Sequence, residues 1–175
     1  MDDAPIEIAE YDPGWVEAFQ LERQILSDTL AAWLVGMPEH IGSTAVSGLA
    51  AKPIIDIMAP VRSLEDSQAA IAAAVSVGYV YFPYRTEVMH WCCKPSPSVR
   101  THHLHLVPIG SRLWNERLAF RDALRADENL RTEYRDLKLA LAARYRRDRE
   151  GYTDAKTPFI HRVLERVARG GAHAA

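Results

Sequence analysis

Cysteine is scarce: in 175 residues only Cys92 and Cys93 occur, and they are neighbours. Adjacent cysteines close a strained ring, and on a strand they point to opposite faces, so there is no disulfide framework. No CxxC pair is available for structural zinc either. Long apolar runs are missing as well, none approaching the ~20 residues that cross a bilayer. The start, Met1-Asp2-Asp3-Ala4-Pro5, is acidic and lacks the basic residues and apolar stretch of a secretory signal. No internal repeat and no low-complexity linker interrupts the chain. A reduced, cytoplasmic protein with no membrane partner is the expectation.

What is present fits one soluble domain over residues 1–175: 48% of residues are hydrophobic and 25% are charged. The formal net charge of −2 hides a split. Residues 1–109 carry 6 Lys+Arg against 13 Asp+Glu, whereas residues 110–175 carry 15 against 10. A basic half can mark a tail for nucleic acid. Here no RNA or DNA motif accompanies it, and the overall pI of about 6.4 gives no support.

Periodicity divides the chain in the same place. Residues 1–109 read as a mixed-sheet core with helices. Ile6–Tyr11 alternates like a strand and ends at Asp12-Pro13-Gly14, and Trp15–Val35 has helical spacing. Glu39 begins a short strand that runs into a small-residue loop. Pro53–Val61 reads as a strand buried on both faces. Leu64–Val77 is an Ala-rich helix that stops at Gly78. Strands follow at Tyr79–Tyr84, Val88–Lys94 and Arg100–Pro108, and their short connections predict antiparallel pairing within a mixed α/β sheet. Residues 110–169 read as a helical cap with helices over Leu113–Arg125, Glu128–Arg147 and Lys156–Ala168, each with an apolar stripe. Residues 170–175 read as a frayed tail.

The stretch 40–58, HIGSTAVSGLAAKPIIDIM, concentrates the chemistry. Gly42 and Gly48 with their small neighbours let backbone N–H groups approach an anion, and Ser43 and Thr44 add hydroxyl donors. The glycines equally suit a plain tight turn. The spacing is not that of a Walker A loop, since no lysine follows Gly48. Asp56 lies in the middle of the apolar strand, where a bare carboxylate needs a partner or a metal. Lys52 is one candidate to neutralise it, and is equally a candidate phosphate contact. Ile54, Asp56 and Met58 share one face.

HIGSTAVSGLAAKPIIDI resembles the signature of the GrpB family, a branch of the nucleotidyltransferase superfamily. The likeness extends through IEIAEYDPGWVEAF, HHLHLV, WNERLAFRD, YRDLK and YTDAKTPFI, in order along nearly the whole chain. It implies a nucleotidyltransferase-like mixed sheet with flanking helices and a C-terminal helical segment. It implies nucleotide phosphates at Gly42 and Ser43, and Mg²⁺ or Mn²⁺ on strand carboxylates spaced D-x-D or D-x-E. Asp56 matches the first carboxylate, but Met58 stands at the second, and a thioether does not replace a hard oxygen ligand. A later strand often carries a third acid in the superfamily, and His105 stands near that place as a second candidate catalytic residue. GrpB-like domains also occur joined to dephospho-coenzyme A kinases, which implies a link to coenzyme A metabolism.

Histidines and cap cations complete the candidate set. His103 and His105 project from one face of a strand, a spacing at which two imidazoles meet one metal or one phosphate, with Asp56 as the third ligand. They suit backbone hydrogen bonding in a half-buried strand equally well. His40 reads as local support for the loop. In the cap, Arg117, Arg121 and Arg125 share a helix face, while Lys138 and Lys156 fall in the family-like segments. Arg121, Lys138 and Lys156 are the candidate phosphate contacts, set against solvated or i,i+4-paired surface charges. Three functions follow: a metal-dependent nucleotidyl or phosphoryl transferase acting on a nucleotide or other phosphorylated small molecule; a non-catalytic nucleotide- or coenzyme A-related binding module; and a metal hydrolase using His103, His105, His40 and Asp56, for which Zn²⁺ also fits.

Overall fold

The apolar run before Arg62 supplies the strand around which the protein is built. The computed structural model describes residues 5–171. One sheet contains β1 (Glu39–Ile41), β2 (Ile55–Val61), β3 (Val80–Phe82), β4 (His90–Pro95) and β5 (Arg100–Pro108), in the order β1-β2-β5-β4-β3. β2 and β5 run parallel, and the other pairings are antiparallel. β2 therefore has a neighbour on each edge and layers on both faces, which is why it reads as nearly continuous apolar sequence.

The alternation of β2 separates two interiors. Ile55, Ile57, Ala59 and Val61 face α1 (Gly14–Thr29) and α2 (Ala70–Ser76), packing with Trp15, Phe19, Leu26, Leu30, Leu104 and Leu106. Met58 faces the other way, with Ile41, Trp91, Cys93, Val107 and Trp114 of α3 (Arg112–Ala126). On this second side α4 (Glu128–Tyr145), α5 (Arg149–Asp154) and α6 (Thr157–Gly171) build the cap. Leu124, Leu130, Tyr134, Phe159 and Val163 close over Val46 and Leu49 of the small-residue loop. Four of the helix starts have a side-chain acceptor: Asp12 for the Gly14 N–H, Ser111 for Trp114, Asp127 for Leu130 and Asp148 for Gly151.

Several boundaries differ from the sequence expectation. Ile6–Tyr11 is not a strand; it makes a single antiparallel bridge, Ala9 to Ala51. On the Glu7 side the residue opposite is Pro53, which has no N–H to offer a ladder. α1 ends at Thr29 rather than Val35, and the turn that follows carries Trp33 and Leu34 onto the same core. That shared core preserved the helical spacing beyond the helix. α2 covers only Ala70–Ser76, with turns over 64–69. The short helix α5 had no apolar period to betray it. α6 continues to Gly171, and the remainder of the expected frayed tail lies outside the described residues.

Between α1 and the sheet, Glu22 is buried. Its carboxylate accepts the Tyr79 hydroxyl at 3.0 Å and the Lys94 ammonium at 2.8 Å from both oxygens. Removing one charge of such a pair strands the other. Glu22→Gln is expected to lower unfolding free energy by about 2–3 kcal/mol, discounted because Lys94 keeps some solvent contact. Urea denaturation checks this; an unchanged midpoint would mean that the pair adds nothing.

Candidate metal and phosphate site

Register brings the site together. Asp56 of β2 lies opposite Ile41 of β1 on one side and His103 of β5 on the other, and Met58 lies opposite His105. The strand after Ile41 turns away at Gly42, whose φ of 73° is in the left-handed region. A Cβ built at Gly42 would meet Asp56 Oδ2 at 2.5 Å. Glycine is required here twice over, by conformation and by the carboxylate pressed against it. The small-residue loop and the strand acid are thus one unit.

The loop is braced from behind. His40 is buried against the Phe19 ring, stacked at 4.5 Å, and its Nε2 lies 3.0 Å from Thr44 Oγ1. Thr44 in turn donates to the Ile54 carbonyl at 3.0 Å, so the His40 N–H is the donor to Thr44. Burial pushes the His40 imidazole down to about 4. This corrects one expectation: Thr44 spends its hydroxyl inside the fold instead of on a phosphate. His40 braces the loop as its position suggested and lies apart from the rest of the ligand set of the hydrolase alternative. Arg121 is corrected as well. Its guanidinium bonds Glu39 at 2.7 Å, the His40 carbonyl at 3.0 Å and Asp122 at 2.8 Å, so its donors serve the loop. Arg125 holds the Ala45 carbonyl at 2.9–3.0 Å. Ser43 stays half-buried at the site, facing the Tyr134 hydroxyl.

Asp56, His103 and His105 converge, with one potential ligand atom from each lying within 4.8 Å of the others. His103 Nδ1 is 2.8 Å from Asp56 Oδ1, and His105 Nε2 is 3.6 Å from the same oxygen. His105 Nδ1 is 3.4 Å from Met89 Sδ. A carboxylate only accepts, so the neutral His103 ring carries its proton on Nδ1 and leaves Nε2 a bare lone pair. His105 has an acceptor near each nitrogen, the Met89 thioether at Nδ1 and the Asp56 carboxylate at Nε2. Both Nε2 atoms are buried with no hydrogen-bond partner among the described residues. His105 Nε2 and the Asp56 oxygen face each other at 3.6 Å, longer than a good hydrogen bond. That is close to the spacing of two ligands on one ion, about 3–3.5 Å for ~2.1 Å bonds.

Protonation states agree. Burial alone would raise the Asp56 carboxyl, but the contacts with His103 and His105 outweigh it and hold it well below the usual range. Burial, reinforced by Arg117, pushes His105 down to about 4. Near neutrality the site therefore offers a carboxylate and a neutral imidazole. Met58 is fully buried among core side chains, so the second acid of D-x-D is missing for good, and His105 fills the place beside it from the next strand. Two imidazoles and one carboxylate suit Mn²⁺ or Zn²⁺ better than the oxygen-loving Mg²⁺.

The cap answers with positive charge. Arg117 makes no salt bridge among the described residues, yet the Asp56 charge reaches its half-buried guanidinium. The ammonium of Lys138 is buried on the Tyr134 ring, and those of Lys52 and Lys156 lie over the Tyr152 ring. Arg117, Tyr134 and Tyr152 were not singled out by sequence. Only the spacing of four that links Arg117 to Arg121 and Arg125 hinted at the first, and the structure gives those three arginines three different tasks.

The "GrpB protein" family model matches residues 5–166. The chain belongs to the GrpB family. A UPF0157 protein of Pseudomonas aeruginosa is 37% identical over 98% of this chain and 72% of its own length. The "Glutamate-rich protein GrpB" of Alkalihalophilus pseudofirmus is 32% identical over 91% of this chain and 94% of its own. Among solved structures, the conserved protein GrpB from Enterococcus faecalis superposes with a TM-score of 0.84 at 32% identity, over 94% of this chain and 98% of that one. The nucleotidyltransferase-like mixed sheet is therefore the GrpB fold, and this GrpB chain carries it with Asp56 as the one carboxylate of β2. No helix among its described residues is long and apolar enough to cross a membrane.

Two outcomes test this geometry. Gly42→Ala is expected to cost about 2–4 kcal/mol by equilibrium unfolding, from a strained φ and the clash with Asp56; a loss under about 0.5 kcal/mol would contradict the close approach. His40 and His105 titrate lower folded than unfolded, so unfolding takes up protons between about pH 6.5 and 4. Stability of chelator-treated protein then falls as pH drops through that window, by about 3 kcal/mol per imidazole. His40→Gln should remove about one proton from the uptake; an unchanged pH slope would refute the buried neutral state.

Proposed function

We propose that the protein holds one divalent metal ion on Asp56, His103 and His105 and uses this site to bind a nucleotide or other phosphorylated small molecule, whose nucleotidyl or phosphoryl group it transfers. The observation that carries this is the pair of buried, unpartnered Nε2 atoms beside the Asp56 carboxylate. Buried polar atoms are almost always satisfied, and two orphaned imidazole nitrogens at a carboxylate are an arrangement that a cation completes. When bound, such a metal supplies Lewis-acid neutralisation of phosphate oxygens. The protein's own residues do the rest. Gly42 and Ser43 bring backbone and hydroxyl donors to the edge of Asp56. Arg117 places a guanidinium with no salt bridge among the described residues on the cap side, where charge on a transferring group is offset. Catalysis of this kind is largely positioning and electrostatics, which one carboxylate and fixed cations can support.

Calorimetric titration with Mn²⁺ or Zn²⁺ checks the proposal. One ion per chain is expected, weakened at least tenfold in Asp56→Asn and in His105→Gln. ATP added to the metal-loaded protein should bind more tightly than to the stripped protein. Absence of metal binding, or affinity indifferent to Asp56→Asn, would overturn it. Metal-dependent binding without turnover of any nucleotide would favour the non-catalytic module.

A further inference from the structure

Lysine ammoniums are strongly hydrated, and burying one calls for a counter-charge. Three of them converge beside the metal ligands, and for Lys138 and Lys156 no salt-bridged counter-charge is found among the described residues. Lys52 comes from the segment leading into β2, Lys138 from α4 and Lys156 from the start of α6. Lys52 and Lys156 lie 5.0 Å and 4.4 Å from the centroid of the same Tyr152 ring. Lys138 lies 4.9 Å from the Tyr134 centroid, is 2% exposed, and bonds only the Ala50 carbonyl. Among the described residues no carboxylate pairs with Lys138 or Lys156. Tyrosine faces and one carbonyl are weak substitutes for an anion.

We infer that Lys52, Lys138 and Lys156 form an oxyanion subsite of phosphate class, distinct from the metal ligands and occupied without a metal. Four segments of the chain converge to build it, counting α5, which carries Tyr152. The electrostatics agree: burial, with the neighbouring ammoniums, brings both Lys138 and Lys156 down to about 7. An isolated structural lysine has no reason to sit where like charges oppose it. The inference does not rest on the metal reading, and Asp56 separates the two: its charge favours a metal but opposes an anion near Lys156.

Inorganic phosphate and pyrophosphate titrated into the chelator-treated protein test it. Binding is expected, tighter for pyrophosphate, because three ammoniums match a longer anion. Lys138→Met and Lys156→Met should each weaken it at least tenfold, whereas Asp56→Asn should leave it unchanged or tighten it while abolishing metal binding. Lys138→Met should also raise the melting temperature of the ligand-free protein, since a methionine there loses one carbonyl bond and relieves a buried charge. A purely structural lysine would give a fall. Equal affinity for the two anions supports a single-phosphate version of the same site. No binding of either anion, losses under threefold in both lysine variants, or loss of binding in Asp56→Asn would overturn the inference. If Lys138→Met does not fold, Lys156→Met carries the test alone.

Discussion

A carboxylate placed at the centre of an apolar strand is the constraint from which much of this structure follows. Asp56 lies in β2 with core on both faces of the strand, and an unpartnered carboxylate there would cost several kcal/mol. The sheet resolves this by setting β5 parallel beside β2, which brings His103 and His105 alongside. It also requires Gly42 on the other side, because no Cβ fits against the carboxylate. The loop that begins at Gly42 must then be held in an unusual path. His40, Thr44, Arg121 and Arg125 are spent on holding it.

That division of labour explains how much was legible in the sequence. Asp56 stood out because a charge interrupts an apolar run, and His103 and His105 because a spacing of two puts them on one face. Gly42 and Ser43 were visible as small residues between a strand and a turn. The mixed sheet followed from short connections, and the cap from apolar stripes. Thr44 and Arg121 misled because a hydroxyl or guanidinium near a phosphate-like loop reads the same whether it faces the ligand or the back of the loop. Only the third dimension separates Arg121, saturated by Glu39 and Asp122, from Arg117 four residues earlier, which makes no salt bridge among the described residues. Tyr134 read as a core stripe residue and Tyr152 gave no signal, and both are buried in the cap. They also present faces to ammoniums.

The charge split between the halves has the same origin. The basic half packs on the sheet through its own apolar residues, so its surplus is not a free tail. Part of it is used internally, on backbone carbonyls and on acids of the sheet half, as Arg121 shows with Glu39. Another part, Arg117 and Lys156, lies within reach of the Asp56 charge, with Lys138 beside Lys156. Among the described residues, these three cations outnumber the single Asp56 carboxylate. Such a surplus favours an anionic ligand, and the two unpartnered imidazole nitrogens favour a cation. A metal-phosphate pair satisfies both demands at once.

X-ray absorption at the metal edge of Mn²⁺- or Zn²⁺-loaded protein reaches this centre directly, because scattering from imidazole rings is distinct from that of carboxylate and water. Two imidazoles with one or more oxygen ligands, falling to one imidazole in His105→Gln, is the predicted result. A shell of oxygens alone, or one unchanged by that substitution, would contradict a metal site built on Asp56, His103 and His105.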